Sequence, residues 1–220
     1  MMEYLRLTGR DTVFGKYLAE RLERVGIQTN SEEGLHIICC ADGGAVDCDM
    51  LIRPSGSECP SSFPVTELVL HDMYIPGGSE DWGPSEIEQH LDWLVSSLGK
   101  PPKGEPRYWV HVRDVVDMVA LLLDDLPTSR IDVCGRRCWG HEVMSAELGV
   151  LFSRVKAAEN KTFQLENLKI FEPKVEPTIT QKRPDLYPLH SALQEVGTPG
   201  WHPLVPFRIG LMECIALQLE

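Results

Sequence analysis

Leu35-His36-Ile37-Ile38-Cys39-Cys40 is a continuous, mostly apolar run, the pattern of a strand buried on both faces. Such a strand needs neighbours in its own sheet and a packed layer above and below it, which restricts the chain to a sheet flanked by helices. The flanking sequence supplies both. Leu5-Arg6-Leu7-Thr8 reads as a short strand running into Gly9. Phe14, Leu18, Leu22 and Val25 follow at helical spacing, with Gly26 as a stop. Ile27-Gln28-Thr29 reads as a second short strand ended by Asn30-Ser31. Met50-Leu51-Ile52 and Val65 to Met73 are further strands, separated by a loop from Pro54 to Pro64 rich in Pro, Ser and Gly.

The second half is more helical. Pro84 stands where a first helical turn tolerates it, and Ile87, Leu91, Leu94, Val95 and Leu98 make one apolar stripe. Lys100 to Pro106 is a loop, and Tyr108 to Val112 alternates as a strand. Val115 to Leu126 reads as a largely buried helix opened by Asp114 at its N-cap. Ile131 to Cys134 is a strand, and Met144, Leu148, Leu151 and Val155 mark another helix. Glu172 to Pro177 is an extended linker, and the last helix begins near Phe207. Strand and helix alternate throughout, so the expected class is α/β with a mainly parallel sheet flanked by helices.

Composition narrows the function. The 220 residues carry 43% hydrophobic and 25% charged side chains, enough for a real core in one domain. Lys plus Arg number 21 against 33 for Asp plus Glu, a formal charge of −12. That balance repels a phosphate backbone, so no nucleic-acid partner is expected. No apolar run reaches the roughly 20 residues of a membrane span, and Met1 to Arg6 lacks a signal-peptide pattern. A cytoplasmic protein without a membrane partner is expected. Seven cysteines, an odd number, read as free thiols. Cys134-x3-Cys138 lacks the second ligand pair of a zinc knuckle, so no metal site is expected.

Thr8-Gly9-Arg10-Asp11-Thr12-Val13-Phe14-Gly15 lies between a strand and a helix. It is similar to the T-G-x-x-G-x-x-G turn of the extended short-chain dehydrogenases, the family of NAD-dependent nucleotide-sugar epimerases and dehydratases. Asp72-Met73-Tyr74-Ile75-Pro76-Gly77 is similar to the N-x-Y-G-P-G of that family. Arg107 to Asp114 resembles its R-D-F-V-H-V-D-D, and Lys182-Arg183-Pro184-Asp185, Gly200-Trp201-His202-Pro203 and Gly210-Leu211 resemble its closing signature. These segments occur in the family's order. The resemblance implies a Rossmann-like fold with a small C-terminal substrate-side lobe, with residues 1–160 as a reduced Rossmann-like part and 161–220 packed on it as one compact unit.

The resemblance also implies sites. Gly9, Thr12 and Gly15 would hold the pyrophosphate of NAD or NADP against a helix N-terminus. Thr12 stands where the family has its middle glycine, and its side chain would crowd the phosphates. Arg107 matches an arginine that contacts a nucleotide-sugar diphosphate, a task suited to a guanidinium; the other reading is a surface arginine at a strand start. Tyr74 is a second substrate-side candidate. Ser55-Gly56-Ser57 falls where the family has substrate-side serines, though any loop contains such residues. His111 reads as a core histidine, Trp201 as packing, and Arg136-Arg137 as a solvated loop pair.

Two departures bear on activity. The family's base is the tyrosine of Y-x-x-x-K, ionised with help from a lysine one turn away. None of Tyr4, Tyr17, Tyr74, Tyr108 and Tyr187 has Lys four residues later. The stretch from Cys40 to Val65 is too short for that helix, on which relatives usually dimerise. The second strand, Gln28-Thr29-Asn30, also lacks the terminal acid for an NAD ribose, leaving only Glu32 or Glu33 nearby. The catalytic residue is therefore unassigned. The expectation is a divergent epimerase/dehydratase-like protein that binds a nucleotide-sugar or dinucleotide without hydride transfer. The alternative is a non-catalytic binding module or partner subunit, a pseudoenzyme with a protein partner or a non-standard oligomer.

Overall fold

The computed structural model describes residues 3–41, 47–57, 65–168 and 182–220. Strand β1 (Leu5–Thr8) turns at Gly9 into helix α1 (Val13–Arg24). Arg21 and Arg24 in its last turn complement the helix dipole, and Gly26 ends it at φ +89°. Strands β2 (Leu35–Cys39), β3 (Met50–Pro54) and β4 (Thr66–Leu70) follow, then the short β5 (Met73–Tyr74). Helix α2 (Glu86–Ser96), strand β6 (Val110–His111), helix α3 (Val112–Leu122) and strand β7 (Arg130–Val133) come next. Helices α4 (His141–Glu159), α5 (Tyr187–Glu195) and α6 (Phe207–Leu219) complete the described chain.

Five strands form one sheet in the order β1-β2-β3-β4-β7, every pair parallel. β5 and β6 pair separately, also in parallel. The expected α/β class with a mainly parallel sheet is what the chain adopts. The expected strand at Ile27–Thr29 is reduced to pairing along the outer edge of β1, where Leu5 N–H donates to Gln28 O (2.8 Å) and Leu7 N–H to Thr29 O (3.1 Å). Parallel neighbours normally need a long helical crossover, yet the described residues between β2 and β3 and between β3 and β4 contain no helix.

That leaves the two faces of the sheet unlike each other. Leu5, Leu7, Ile37, Cys39, Met50, Ile52, Leu68, Leu70, Ile131 and Val133 join the first core with α1, α3 and α5. The residues between them point the other way by strand alternation, and there Ile38 and Leu51 form only a small cluster with Cys40 and Cys48. The rest of that face is mostly polar, with Arg6, Thr8, His36, Arg53, Glu67, Arg130 and Asp132 around the buried Val69. Arg53 Nε donates to Glu67 Oε1 at 2.7 Å, and both residues are buried. A second core lies beside the sheet, where Ile87 and Leu91 of α2, Met144, Leu148 and Leu151 of α4, and Leu211 and Ile215 of α6 enclose Tyr74 and Trp109.

Two expectations need correction. Tyr108–Val112 is not one strand: only Val110 and His111 pair, and α3 begins at Val112. The reason is a cap, His111 Nδ1 accepting the Arg113 N–H at 3.0 Å. Asp114 is therefore not the N-cap but lies inside the first turn, accepting from the Leu204 N–H (2.7 Å) and the Val205 N–H (3.1 Å) across the fold. Helix α5 went unforeseen; its apolar face Leu189, Ala192 and Leu193 closes the first core. The expected linker Glu172–Pro177 and residues 58–64 of the expected loop lie outside the described residues.

Candidate functional site

The turn after β1 is built from three residues in contact. Gly9 takes φ +80°, and a Cβ there would run into the Cys39 carbonyl oxygen at the end of β2. A Cβ on Gly15 would strike the Gly9 carbonyl, so both glycines are fixed by backbone approach and not by composition. Thr12 caps α1: its hydroxyl accepts the Gly15 N–H at 3.0 Å and donates to Gly9 O at 2.7 Å. By helix geometry the first amides, Val13 and Phe14, lack intrahelical acceptors. The turn thus presents amide donors and a positive helix end, the groups that suit a pyrophosphate.

The fit to a dinucleotide is partial. The turn is closed by Gly9 and Gly15, and the Thr12 hydroxyl is folded back into it as the cap. No acid stands at the end of the Gln28–Asn30 segment; Thr29 is buried with its hydroxyl on Glu23 (3.2 Å). Glu32 is exposed and stands 3.7 Å from Arg6.

Arg107 sits in a clamp. Its Nε and Nη2 both donate to Glu86 Oε1 (3.0 and 2.5 Å), and Nη1 donates to Asp72 Oδ1 at 3.2 Å. Its backbone bridges Trp139 in both directions (2.9 and 2.8 Å). Asp72, at φ +51°, also accepts the Tyr108 N–H at 2.8 Å. Burial works against the charge of Arg107, but the Glu86 and Asp72 carboxylates outweigh it and raise its pKa. The guanidinium is thus tied to two acids contributed by α2 and the end of the β4–β5 segment.

Tyr74 lies in the second core, only 2% exposed. Its ring meets Trp109, His111 and Phe207 edge-on, and a Cβ on Gly210 would collide with its hydroxyl. Burial pushes its phenol pKa upward. His111 Nε2 stands 3.3 Å from Glu213 Oε2 but is out of line for a hydrogen bond. Burial, with the Arg113 charge adding, drives the imidazole down to about 3, so a neutral ring faces that carboxylate and the contact is no ion pair at neutral pH. Burial likewise raises Tyr17 and Tyr108. A tyrosine base needs the opposite shift.

The structure does not bring the candidate residues together into one pocket. Gly9, Thr12 and Gly15 form the α1 turn, Arg107 faces α2, and Tyr74 is under α6. Ser57 is spent locally, its hydroxyl on Pro54 O (2.9 Å) and its carbonyl on Arg53 (3.0 Å). Trp201 packs in the first core with its indole N–H on Cys134 O at 2.8 Å. Arg137 lies over the Trp139 ring. Burial pushes the Cys134 thiol up to about 12. Sequence reading missed the partners of Arg107: Glu86 looks like any first-turn acid, and only the fold places it beside that guanidinium.

No family model and no curated protein matches the chain. Solved structures do. RMD from Pseudomonas aeruginosa, complexed with NADPH, superposes with a TM-score of 0.62 over 99% of this chain and 98% of that one, at 11% identity. UDP-glucose 4-epimerase from Thermotoga maritima with UDP-glucose gives 0.62 over 97% and 98%, also at 11%. dTDP-glucose 4,6-dehydratase from Bacillus anthracis in complex with NAD gives 0.60 over 99% and 96%, at 10%. The chain has the Rossmann-like fold of the NAD(P)-dependent epimerases and dehydratases, the extended short-chain dehydrogenases.

Proposed function

We propose that this protein is a divergent epimerase/dehydratase-like binding protein that takes a dinucleotide or nucleotide-sugar and does not transfer hydride. The observation that carries the reading is the α1 turn, closed by Gly9 and Gly15 against backbone carbonyls at a helix N-terminus. Gly9, Thr12 and Gly15 would hold the pyrophosphate of NAD or NADP, and the bound nicotinamide would supply the redox chemistry if any took place. The family's base is missing from this chain: Y-x-x-x-K is absent from the sequence, and burial moves Tyr17, Tyr74 and Tyr108 away from ionisation. The neighbours in complex with NADPH, NAD and UDP-glucose make these the ligands to try first.

On the substrate side, Arg107 would meet a diphosphate only by sharing its guanidinium with Glu86 and Asp72. That prior occupation favours a second reading, a non-catalytic partner subunit in which Arg107 is a strut. A thermal-shift panel of NAD(H), NADP(H) and UDP-, GDP- and dTDP-sugars, with turnover followed by nicotinamide absorbance, separates the readings. Stabilisation without turnover supports the first, no stabilisation by any ligand supports the second, and robust turnover contradicts both.

A further inference from the structure

Helix α6 is apolar around its whole circumference. Of its residues Arg208, Glu213 and Gln218 are the polar ones. Each is already engaged within the fold: Arg208 donates to Glu147, Glu213 accepts from Arg113, and Gln218 Nε2 donates to Asp92 Oδ1 at 3.0 Å. Gly210, Leu211, Cys214 and Ile215 are its buried residues. The opposite side carries Ile209, Met212 and Ala216, with the half-buried Leu219 at its end. Ile209 is 50% and Met212 37% exposed, and Leu204 just before the helix is 76% exposed. A surface helix ordinarily shows water a polar stripe, and one that is apolar all round is covered.

The spacing of these outward residues indicates what covers them. Ile209, Met212, Ala216 and Leu219 step by three, four and three positions. Those are the a and d places of a heptad, the seam along which two helices pack. The seam is also its own complement. In an antiparallel pair about a two-fold axis at Met212, Ile209 lies opposite Ala216 of the second copy, and Leu219 opposite its Val205. Large then meets small, as close packing requires. A parallel pair would set Ile209 against itself and leave a void between two alanines. Charge and dipole agree with the antiparallel order. The Arg113–Glu213 ion pair flanks the seam beside Met212, and the two-fold brings Arg113 of each copy toward Glu213 of the other. The helix dipoles oppose one another as well.

We infer that the outward face of α6 docks a second copy of this chain, helix against helix and antiparallel, with the two-fold axis at Met212. The same patch serves both subunits, so the pair is closed and does not propagate into a filament. A helix about 20 Å long makes a contact at the small end of stable interfaces, so the pair dissociates in the micromolar range. The contact uses neither the α1 turn nor Arg107, and it stands whether or not a ligand binds.

The test is sedimentation velocity of the intact protein from about 1 to about 200 μM, the range in which such a pair forms. The expected result is a monomer–dimer equilibrium. Ile209→Glu and Met212→Glu each weaken it at least about tenfold, because each places an unpaired charge in the seam. Neither changes the unfolding midpoint at the lowest concentration, since both positions are exposed in the monomer. Leu98→Glu, at an apolar residue 77% exposed and off the seam, leaves the dimer unchanged. Orientation is read by mixing Ile209→Cys with Ala216→Cys under mild oxidation and mapping the disulfides by peptide mass. A bond between position 209 of one copy and position 216 of the other forms, and bonds between identical positions do not. Should a Glu variant unfold, these crosslinks decide. A monomer at every concentration leaves the face to a different protein and overturns the assignment. A dimer that survives both Glu variants, or crosslinks that join identical positions, also overturns it.

Discussion

The two faces of the parallel sheet were made by different rules. Toward α1, α3 and α5 the strands offer mainly apolar side chains, and Leu5, Ile37, Met50, Ile52 and Leu68 are fully buried. On the reverse face Arg53 and Glu67 are nearly as inaccessible, at 4% and 5% exposed, yet they are charged and paired. A doubly wound sheet ordinarily covers both faces with helices and reads apolar on both. Here most of the apolar packing lies on one face and the paired charges lie on the other. A parallel sheet can carry charges on one face in this way provided each acquires a partner.

The strongest way to break the comparison is to unpair the buried charges. Arg53→Met alone should cost about 3–5 kcal/mol, because Glu67 is left buried without its cation. Arg53→Met with Glu67→Leu should recover most of that loss, since replacing both members of a buried pair is often neutral. Denaturant unfolding of the two variants measures it. A single variant as stable as the parent would mean that this face is open to water and obeys surface rules.

The Arg107 clamp comes next in size. Arg107→Ala strands Glu86 and Asp72 and should lower stability by about 2–3 kcal/mol, the scale of a lost hydrogen bond to a charged group. Arg107→Lys should restore part of this, because an ammonium cannot span both acids as the planar fork does. Unfolding midpoints measured alongside nucleotide-sugar affinity distinguish strut from ligand. Affinity that falls while stability holds would make Arg107 a binding residue.

Acid titration compares the second core with the sheet. The folded pKa of His111 lies near 3 against an ordinary 6.5, so the unfolded chain binds this proton first. Its stabilising contribution is complete above about pH 6.5 and declines as pH falls toward 3. Asp114 acts in the opposite sense: burial raises its pKa although the Leu204 and Val205 amides oppose the shift. His111→Asn, which keeps an N-cap acceptor, should flatten the fall in unfolding midpoint across that window. An unchanged slope would place the acid sensitivity elsewhere.

Much of the architecture was legible because it is local. The run Leu35–Cys40, the spacing Phe14–Leu18–Leu22 and the stop at Gly26 each carry their structure in neighbouring residues. The misread positions depend on distant ones. Asp114 follows a strand and looks like a cap, but its acceptors are engaged by Leu204 and Val205, 90 and 91 positions away. The α3 cap falls to His111, outside the usual Ser, Thr, Asp and Asn set. Of the candidate site, the turn residues Gly9, Thr12 and Gly15 could be read from motif alone. The occupation of Arg107 by Glu86 and Asp72 could not.

The smallest effect probes the central claim most directly. The turn keeps its closure while Thr12 fills the place of a glycine, so Thr12→Gly should open the mouth at a cost of only a few tenths of a kcal/mol in capping. The measurement is a calorimetric titration of NADH and NADPH into the parent and Thr12→Gly, with unfolding midpoints alongside. The account predicts binding by the parent, tighter binding by the variant by up to about tenfold, or roughly 1.4 kcal/mol, and near-equal stability. No binding in either protein, or weaker binding in the variant at equal stability, would contradict it: the turn would then no longer face a pyrophosphate.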